Sequence, residues 1–372
     1  MNKINSLTSI RFFAAAMIVI GHAGNAPGFE AFRFGASQLN NAVSFFYVLS
    51  GFILSFTYYN MDVKGGYLRF LIARLARIWP LHAAMLLVCF FVFGPNIFQE
   101  YGKSYTDVFF VNSFLLQSWI PVQKFYFSYN AVSWSVSTEL FFYIAFPALL
   151  AILKRYGNAA LLICISFPIV VAMLCAAISM PLHSIDGTID GYYLVYINPI
   201  ARIAEFAFGM YIFSIKKQLG KSQGDSGRFT GIELMSVIIV FLSLCAFSSI
   251  YDTLAGSPFE ILFYWLSVAG SFPAIGFLIF IFSYQNGILS NLLSNKFFVY
   301  LGEISFSVYM CHQVILNYLR IFHGDILKEN PTTMYVIYWL ATILISAMLF
   351  HFVEVPARKA IRGMLSRRQV TA

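Results

Sequence analysis

Long apolar stretches recur along this chain, and they limit its possible folds more than any other feature of the sequence. A helix needs roughly 17–25 predominantly apolar residues to cross a lipid bilayer. The pattern predicts an all-α, polytopic integral membrane helical bundle with about ten transmembrane helices. The candidate spans are residues 8–23, 40–60, 70–93, 133–152, 159–180, 197–215, 231–250, 260–282, 297–321 and 333–352.

Composition supports the same fold class. Apolar residues make up 59% of the 372 residues and charged residues only 11%, whereas a soluble domain has roughly 25% charged residues. So few charges cannot cover a water-facing surface, which excludes a soluble globular domain. The 41 phenylalanines and 22 tyrosines suit lipid-facing helices with aromatic residues at the membrane interfaces.

The distribution of basic residues predicts the orientation of the chain. The net charge is +8, but the basic residues lie in short loops between apolar stretches, so we expect no nucleic-acid partner. If the N-terminus is cytoplasmic, most lysines and arginines fall on the cytoplasmic side. This asymmetry predicts an even number of spans and two cytoplasmic termini. The outer side then carries only Arg33, Lys103, Lys124, Arg320 and Lys328.

The chain is predicted to form a single membrane-embedded domain over residues 1–372, ending in a short basic cytoplasmic tail at 357–372. Segment 104–120 is amphipathic and is predicted to be an interfacial or re-entrant helix. Loop 216–230 is a basic, Gly/Ser-rich cytoplasmic linker. We expect no cleavable signal peptide, because the first span contains Arg11 and lacks a small-residue cleavage site.

The five cysteines each lie inside an apolar stretch, and no two form a CxxC pair. We therefore expect buried thiols, with neither a disulfide framework nor a metal site.

Ionisable residues at membrane depth usually mark function, because charge there is costly. Arg11 and His22 in the first span are eleven residues apart, or three turns plus about 20°, so both point to one helix face. Their axial separation is about 16 Å, with His22 towards the outer half of the membrane. The alternative is a snorkelling arginine and a satisfied interfacial histidine.

Glu139 lies in the fourth span, within the stretch SWSVSTELFFYIAFP. This span enters from the outer face near Ser133, which places Glu139 about 9 Å below that face, at a depth similar to that of His22. A carboxylate at this depth needs a partner, and an imidazole would serve. The alternative is a structural hydrogen bond to a serine or threonine of a neighbouring helix.

Arg69, Arg74 and Arg77 cluster at the cytoplasmic end of the third span. Arg74 and Arg77 are three residues apart and are therefore neighbours on one helix face. Guanidinium groups bind phosphate oxygens bidentately, so the cluster suits a phosphate-bearing cytosolic ligand. Anchoring to lipid headgroups is the alternative.

Three weaker candidates complete the polar residues at depth. Glu303 and His312 are nine residues apart and lie on opposite helix faces; His312 is the deeper and better functional candidate, although a satisfied polar contact also explains it. The spacing of Arg202 and Glu205 predicts an intrahelical ion pair. Ser50 precedes a glycine at mid-membrane, where helix packing competes with a role as nucleophile.

These residues share one arrangement, with cationic groups at the cytoplasmic mouth and a histidine and a carboxylate deeper in the membrane. The pantetheine arm of coenzyme A has a length comparable with the gap between them. The spacing therefore suggests an acyl-CoA ester whose phosphates bind the arginines and whose thioester reaches His22.

Six motifs in sequence order carry a resemblance to a known family. On a ten-helix background, the chain resembles the acyltransferase 3 family of membrane-bound acyltransferases. We take the C-terminal ExPxR pattern of this family to be structural. The motifs are TSIRFFAAAMIVIGHA, VSFFYVLSGFIL, RLARIWPLH, SWSVSTELFFYIAFP, YLGEISFSVYMCH and VEVPARKAI.

The resemblance implies an enzyme of the bacterial inner (cytoplasmic) membrane. Such enzymes transfer an acyl group, usually acetyl, from cytosolic acyl-CoA to a hydroxyl of an envelope or exported carbohydrate, such as O-antigen or exopolysaccharide. Acyl-CoA is then a donor substrate, and no bound cofactor is expected. The partners implied are the donor, a carbohydrate or lipid-linked carbohydrate acceptor and membrane lipids.

The resemblance also implies roles for particular residues. By position, His22 is the catalytic histidine of an Arg-x10-His pair, and Glu139 is the carboxylate of a WSxxxE motif. Arg11 belongs to the first pair, and Arg74 and Arg77 match an RxxR motif proposed to hold the phosphates of the donor.

Other positions are expected to contact the substrate or depart from the family pattern. Ser50, Trp134 and His312 are possible substrate-binding residues. Many relatives carry Asp where this chain has Ser44, which removes a carboxylate from the second motif. Some relatives also carry a fused extracytoplasmic esterase-like domain. This sequence ends at Ala372, soon after its last span, so we expect it to act alone or with a separate partner.

Our mechanistic hypothesis makes His22 the general base for the acceptor hydroxyl, oriented or charge-balanced by Glu139. In this version the alcohol attacks the thioester directly. In a second version, the acyl group passes through His22 or Ser50 as a covalent intermediate.

A proton-coupled transporter or flippase of a sugar or lipid-linked sugar is the competing class, because intramembrane His and Glu also build proton relays. The sequence shows no evident inverted repeat and no pair of interrupted helices, which disfavours that class. A purely structural scaffold fits poorly with a histidine and carboxylates at depth. The sequence leaves the acceptor, the acyl group and the oligomeric state open.

Overall fold

A computed structural model of the chain describes residues 3–33, 39–61, 63–94, 105–184, 189–220 and 226–367. These residues form helices and connecting turns, with no β-strand in the described part, which confirms the all-α prediction. The helices are α1 (Asn5–Gly24), α2 (Ala42–Tyr58), α3 (Val63–Phe93), α4 (Tyr105–Ser113), α5 (Gln123–Tyr126), α6 (Trp134–Tyr156), α7 (Asn158–Ala177), α8 (Ile203–Leu219), α9 (Ser226–Leu254), α10 (Glu260–Ala269), α11 (Phe272–Phe282), α12 (Ile288–Leu293), α13 (Lys296–Phe322), α14 (Gly324–Glu329), α15 (Pro331–Leu349) and α16 (Val355–Arg367).

Eight helical segments within the described ranges are long and apolar enough to cross a membrane. They coincide with eight of the predicted spans, and α2, which is apolar but only 17 residues long, lies within the predicted span 40–60. These helices confirm a polytopic membrane protein. The count of ten spans and the cytoplasmic termini stay predictions.

The predicted span 197–215 is not one continuous α-helix. The chain forms a π-helix over Tyr193–Ile197, then a turn, and α8 begins only at Ile203. Pro199 lies in this turn, and proline has no N–H with which to continue a helix. The prediction for this span is therefore wrong at its N-terminal end.

A second interruption divides the predicted span 260–282. Helix α10 ends at Ala269 and α11 begins at Phe272, with Pro273 in its first turn. Proline is favoured there because the first N–H groups of a helix have no intrahelical acceptor. This break was not evident from the sequence, and residues 260–282 still form one segment long and apolar enough to cross a membrane.

Two smaller segments also differ in detail from the sequence-based expectation. Segment 104–120 contains α4 and a 3-10 helix at Gln117–Trp119, which are too short to span a bilayer.

The predicted tail 357–372 is helical as far as Arg367 in α16, and residues 368–372 lie outside the described part. Their placement at the membrane surface or in the cytoplasm stays a prediction.

The chain forms two compact units, and helices α1, α6 and α13 contribute residues to both. The expectation of one membrane-embedded domain stays a prediction. The first unit comprises Met1–Ile18, Phe34–Asn60 and Ala145–Glu303. The second comprises Val19–Arg33, Met61–Ile144 and Ile304–Ala372.

In the first unit, α2 and α8 pack closely through reciprocal glycines. A Cβ atom at Gly51 would collide with the carbonyl oxygen of Phe206, and one at Gly209 would collide with that of Val48. Small residues let helix backbones approach in membranes, where van der Waals packing drives association. The glycine after Ser50 therefore has the packing role that its motif suggested.

The first unit also contains the ion pair that the spacing of Arg202 and Glu205 predicted. Arg202 Nη2 lies 2.7 Å from Glu205 Oε1, and both side chains are buried. The same nitrogen donates to Ser44 Oγ at 3.1 Å, and the guanidinium lies over the rings of Tyr47 and Tyr196. An anion, a hydroxyl and two aromatic faces thus replace part of the water that Arg202 loses on burial, while its Nε and Nη1 have no hydrogen-bond partner among the described residues.

In the second unit, a buried carboxylate fixes α13 to the C-terminal segment. Ser307 Oγ donates to Glu354 Oε1 at 2.6 Å. Glu354 ends a π-helix that begins at Phe350, and Pro356 follows in the first turn of α16, where proline is tolerated. This contact lies five residues before His312 and helps to hold the helix that carries it.

Candidate active site

His22 and His312 form a direct pair in the second unit. His22 lies in the last turn of α1, and His312 lies in α13. His22 Nδ1 and His312 Nε2 are 3.0 Å apart. The ring centroids are 5.2 Å apart and the ring planes are inclined by 26°, so the rings meet edge to edge. This geometry is that of a hydrogen bond between the two imidazoles.

The two histidines differ in burial and in their other contacts. His312 is fully buried, whereas His22 is half-buried. His312 Nδ1 lies 3.2 Å from the carbonyl oxygen of Val308. Gln313, the residue after His312, donates from Nε2 to Asn317 Oδ1 at 3.3 Å. His22 is therefore the more exposed member of the pair.

The WSxxxE motif in α6 contacts the helix turn that carries His312. Ser135 Oγ lies 2.7 Å from the phenol oxygen of Tyr309, and that phenol donates to the Val132 carbonyl at 3.0 Å. The rings of Tyr309 and His312 have centroids 5.9 Å apart. Trp134 of the same motif is buried, and its role in substrate binding stays a prediction.

Glu139 lies one helical turn beyond Ser135, on the same face of α6. It accepts a hydrogen bond from the phenol of Tyr143. Arg74 and Arg77 of α3 interact electrostatically with that phenol. The structure therefore brings the predicted carboxylate and the RxxR motif into one neighbourhood, while the pairing of Glu139 with His22 stays a prediction.

Arg11 and Ser50, two further predicted site residues, belong to the first compact unit. Both side chains are half-buried. Arg11 lies within α1, and Ser50 lies in α2 immediately before the glycine of the α2–α8 contact. Their roles in binding donor and substrate stay predictions.

The cysteines are free thiols, and Cys89, Cys175 and Cys311 are buried. Among the residues that the structure describes, no group of three or more His, Cys, Asp and Glu side chains could hold a metal ion.

Sequence reasoning missed the histidine pair, although it singled out both members. It compared His22 with Glu139 and His312 with Glu303, because a carboxylate is the usual partner of an imidazole. In the first unit, Glu303 instead pairs with Lys3 at 2.5 Å. The only sequence signal for the pair is depth, since both histidines lie in the outer halves of their predicted spans.

Comparisons with known proteins agree with the motifs and the fold. A family model described as an acyltransferase domain, that of the acyltransferase 3 family, matches residues 4–351. Acyltransferase MdmB of Streptomyces mycarofaciens is 26% identical over 344 residues, which cover 85% of this chain and 80% of that protein. O-acetyltransferase OatA of Staphylococcus aureus is 24% identical over 374 residues, which cover 95% of this chain and 57% of that protein. No solved structure matches the chain.

A pair of hydrogen-bonded histidines in an all-helical membrane fold is the kind of site that can move a proton during group transfer. The family model covers nearly the whole chain, so the chain belongs to the acyltransferase 3 family and is a membrane-embedded acyltransferase. The resemblance carried by the six motifs is therefore confirmed. The chain spans little more than half the length of OatA.

Proposed function

We propose that the protein is a membrane O-acyltransferase that transfers an acyl group from cytosolic acyl-CoA to a hydroxyl of an envelope or exported carbohydrate. The observation that carries the proposal is the half-buried His22, hydrogen-bonded to the fully buried His312, in a chain of this family. We propose acetyl as the acyl group. The similarity to OatA, an O-acetyltransferase, supports that choice.

The proposed reaction is direct transfer with His22 as general base. The acceptor oxygen attacks the thioester carbonyl, and its proton passes to the imidazole of His22. A carbon–oxygen bond forms, the carbon–sulfur bond breaks, and the proton moves to the departing thiolate to give free coenzyme A. The products are the O-acyl carbohydrate and coenzyme A, so no further reactant is required.

The cationic residues are proposed to bind the donor. Arg74 and Arg77 lie on one helix face and suit the phosphate oxygens of coenzyme A. Glu139 is proposed to stabilise the positive charge that forms on the histidine pair. Glu139 accepts a hydrogen bond from Tyr143, and both arginines interact electrostatically with the same phenol. These contacts support the proposal that the carboxylate and the two arginines share one electrostatic environment.

A covalent route through Ser50 or His22 makes a different prediction from direct transfer. Incubating the protein with labelled acetyl-CoA, without acceptor, would then leave an acetylated peptide. We expect no such peptide, because direct attack needs no acyl-enzyme. A labelled Ser50 or His22 peptide, formed and consumed at the rate of turnover, would replace the direct mechanism.

The proposed location is the inner membrane of a bacterium, with both termini in the cytoplasm. The excess of lysine and arginine on one side of the spans supports this orientation. Green fluorescent protein fused to the C-terminus is expected to fluoresce, because it folds in the cytoplasm. If this fusion does not fluoresce and an alkaline phosphatase fusion at the same terminus is active, the C-terminus lies outside the cytoplasm, and the proposed orientation is contradicted.

The experiment that tests the proposed function measures O-acetyl groups on the surface polysaccharide of the source organism. Polysaccharide is isolated from the wild type, a deletion strain and the complemented deletion, and acetyl signals are integrated by proton NMR. We expect the signals to vanish on deletion and to return on complementation. Unchanged signals in the deletion strain would contradict a surface polysaccharide as the acceptor.

A further inference from the structure

The hydrogen bonds of His312 fix which of its nitrogens carries hydrogen. Its Nδ1 lies 3.2 Å from the carbonyl oxygen of Val308, and a carbonyl oxygen can only accept a hydrogen bond. Nδ1 of His312 must therefore carry a hydrogen. A neutral imidazole has one N–H, so Nε2 of His312 has a free lone pair.

The same reasoning then fixes the state of His22. His312 Nε2 faces His22 Nδ1 at 3.0 Å, and an acceptor at that position requires His22 Nδ1 to be the donor. The single hydrogen of a neutral His22 is thereby placed on Nδ1. Its Nε2 is left with a lone pair, which is the state that a general base needs.

From this chain of donors and acceptors, we propose that His312 is the positioning residue for His22. It selects the tautomer of His22 in which Nε2 accepts the proton of the acceptor hydroxyl. This inference rests on the proposed acyl transfer. His312 itself is fully buried and uses both ring nitrogens, so it acts through His22 rather than on the substrate.

The pair resembles the relation between base and orienting residue in a catalytic triad, where a carboxylate holds the imidazole in the correct tautomer. Here a neutral imidazole takes that place. When His22 accepts a proton at Nε2, its Nδ1–H continues to donate to His312. The proton then leaves from Nε2 to the thiolate, which restores the starting tautomer.

The activity test uses the purified full-length protein in lipid nanodiscs, with labelled acetyl-CoA and the non-acetylated surface polysaccharide of a deletion strain. His312→Leu removes the acceptor, whereas His312→Gln keeps an acceptor oxygen. His82→Leu is the matched control, because His82 is equally buried and its Nε2 lies 2.8 Å from the Asn112 carbonyl oxygen.

We expect His312→Leu to lower kcat by about 10–100-fold at an unchanged KM for acetyl-CoA, as for other residues that orient a functional histidine. His312→Gln is expected to recover most of that loss. His82→Leu is expected to stay within about threefold of wild type, because His82 contacts the Asn112 carbonyl and not His22. Equal losses of kcat in His312→Leu and His82→Leu would show that His312 has only a structural role, which would overturn the inference. A kcat of His312→Leu equal to that of wild type would also overturn the inference.

A second readout needs no activity and separates this inference from the proposed function. In ¹⁵N-histidine-labelled protein, signals are assigned by their loss in His22→Ala and His312→Ala. We expect wild-type His22 to carry its hydrogen on Nδ1, and this preference to disappear in His312→Leu. A hydrogen on Nε2 of wild-type His22 would overturn the inference. Failure of the wild type to transfer acetyl would instead overturn the proposed function, while the tautomer is still decided by these spectra.

Discussion

The hydroxyl oxygens of Ser135 and Tyr309 lie 2.7 Å apart, although 174 positions separate the two residues in the chain. This contact joins the motif that contains Glu139 to the helix turn that carries His312. Asn130, in the segment before α6, strengthens the connection by donating from Nδ2 to the Met310 carbonyl at 2.8 Å. Two motifs that are remote in sequence therefore form one hydrogen-bonded part of the second unit.

Replacing Tyr309 with phenylalanine should loosen this connection. Tyr309→Phe keeps the ring near His312 but removes the bonds to Ser135 and to the Val132 carbonyl. Ser135 Oγ still donates to the Val132 carbonyl at 2.9 Å, so the expected cost is that of a lost hydrogen bond, about 0.5–1.5 kcal/mol. We therefore expect a lower melting temperature in detergent and a reduced kcat. Tyr318→Phe, at an exposed position of the same helix, is the control. Identical melting temperatures for the two variants would contradict the structural role of this contact.

The α2–α8 contact predicts a strong difference between two glycine substitutions. Gly51→Ala places a methyl group against the Phe206 carbonyl, whereas a Cβ at Gly231 in α9 meets nothing within 4 Å. We expect Gly51→Ala to be destabilising by about 1–3 kcal/mol, as overpacking usually is. Gly231→Ala should be neutral or stabilising by up to about 1 kcal/mol, because alanine favours helix. Thermal unfolding of both variants checks this, and equal stability of the two would argue against the tight crossing.

The buried Arg202–Glu205 pair predicts non-additive substitutions. Arg202→Met leaves the carboxylate of Glu205 buried without its ion-pair partner and should cost about 3–5 kcal/mol. The double variant Arg202→Met with Glu205→Leu removes both charges and should recover much of that stability. A double-mutant cycle on thermal stability gives the measurement. Additive losses would show that the two charges are not coupled in the membrane.

Binding of the donor should depend more on Arg74 and Arg77 of the RxxR motif than on Arg69, which lies in the same helix. The double variant Arg74→Gln with Arg77→Gln should raise the KM for acetyl-CoA by roughly 10–100-fold, since hydrogen bonds to charged groups are worth about 1.5–3 kcal/mol. Arg69→Gln is the matched control, because Arg69 is exposed in the same helix. Acetyl-dephospho-CoA lacks the 3′-phosphate. If the motif binds that phosphate, the KM of the double variant and the KM of wild type should differ less with this donor than with acetyl-CoA. An unchanged KM in the double variant would place the donor phosphates elsewhere.

Much of the fold follows from the sequence because the bilayer imposes a simple rule. A span must be long, apolar and helical, and eight of the predicted spans meet that condition. The interruptions at residues 198–202 and at Gly270 were not predicted, because hydropathy averages over the local effect of a proline. The pair of Arg202 and Glu205 was predicted, since it depends only on helical spacing.

The sequence predicted individual residues of the candidate site but not the contacts between them. His22, Glu139 and Arg74 stand out because charge and imidazole are rare at membrane depth. Their partners did not follow, because hydrogen bonds between helices depend on rotation and depth that periodicity does not fix. His22 and His312 are 290 positions apart, and tertiary packing alone reveals that they meet.

The most direct test of a catalytic His22 is complementation of the deletion strain with His22→Ala. O-acetyl signals on isolated polysaccharide are integrated by NMR, protein levels are matched by immunoblot, and His351→Ala serves as the control at an exposed histidine. Loss of a general base usually lowers a rate by about 10²–10⁴-fold, so we predict that His351→Ala restores the acetyl signals and His22→Ala does not. Full restoration by His22→Ala at wild-type protein level would contradict the assignment of His22 as the base.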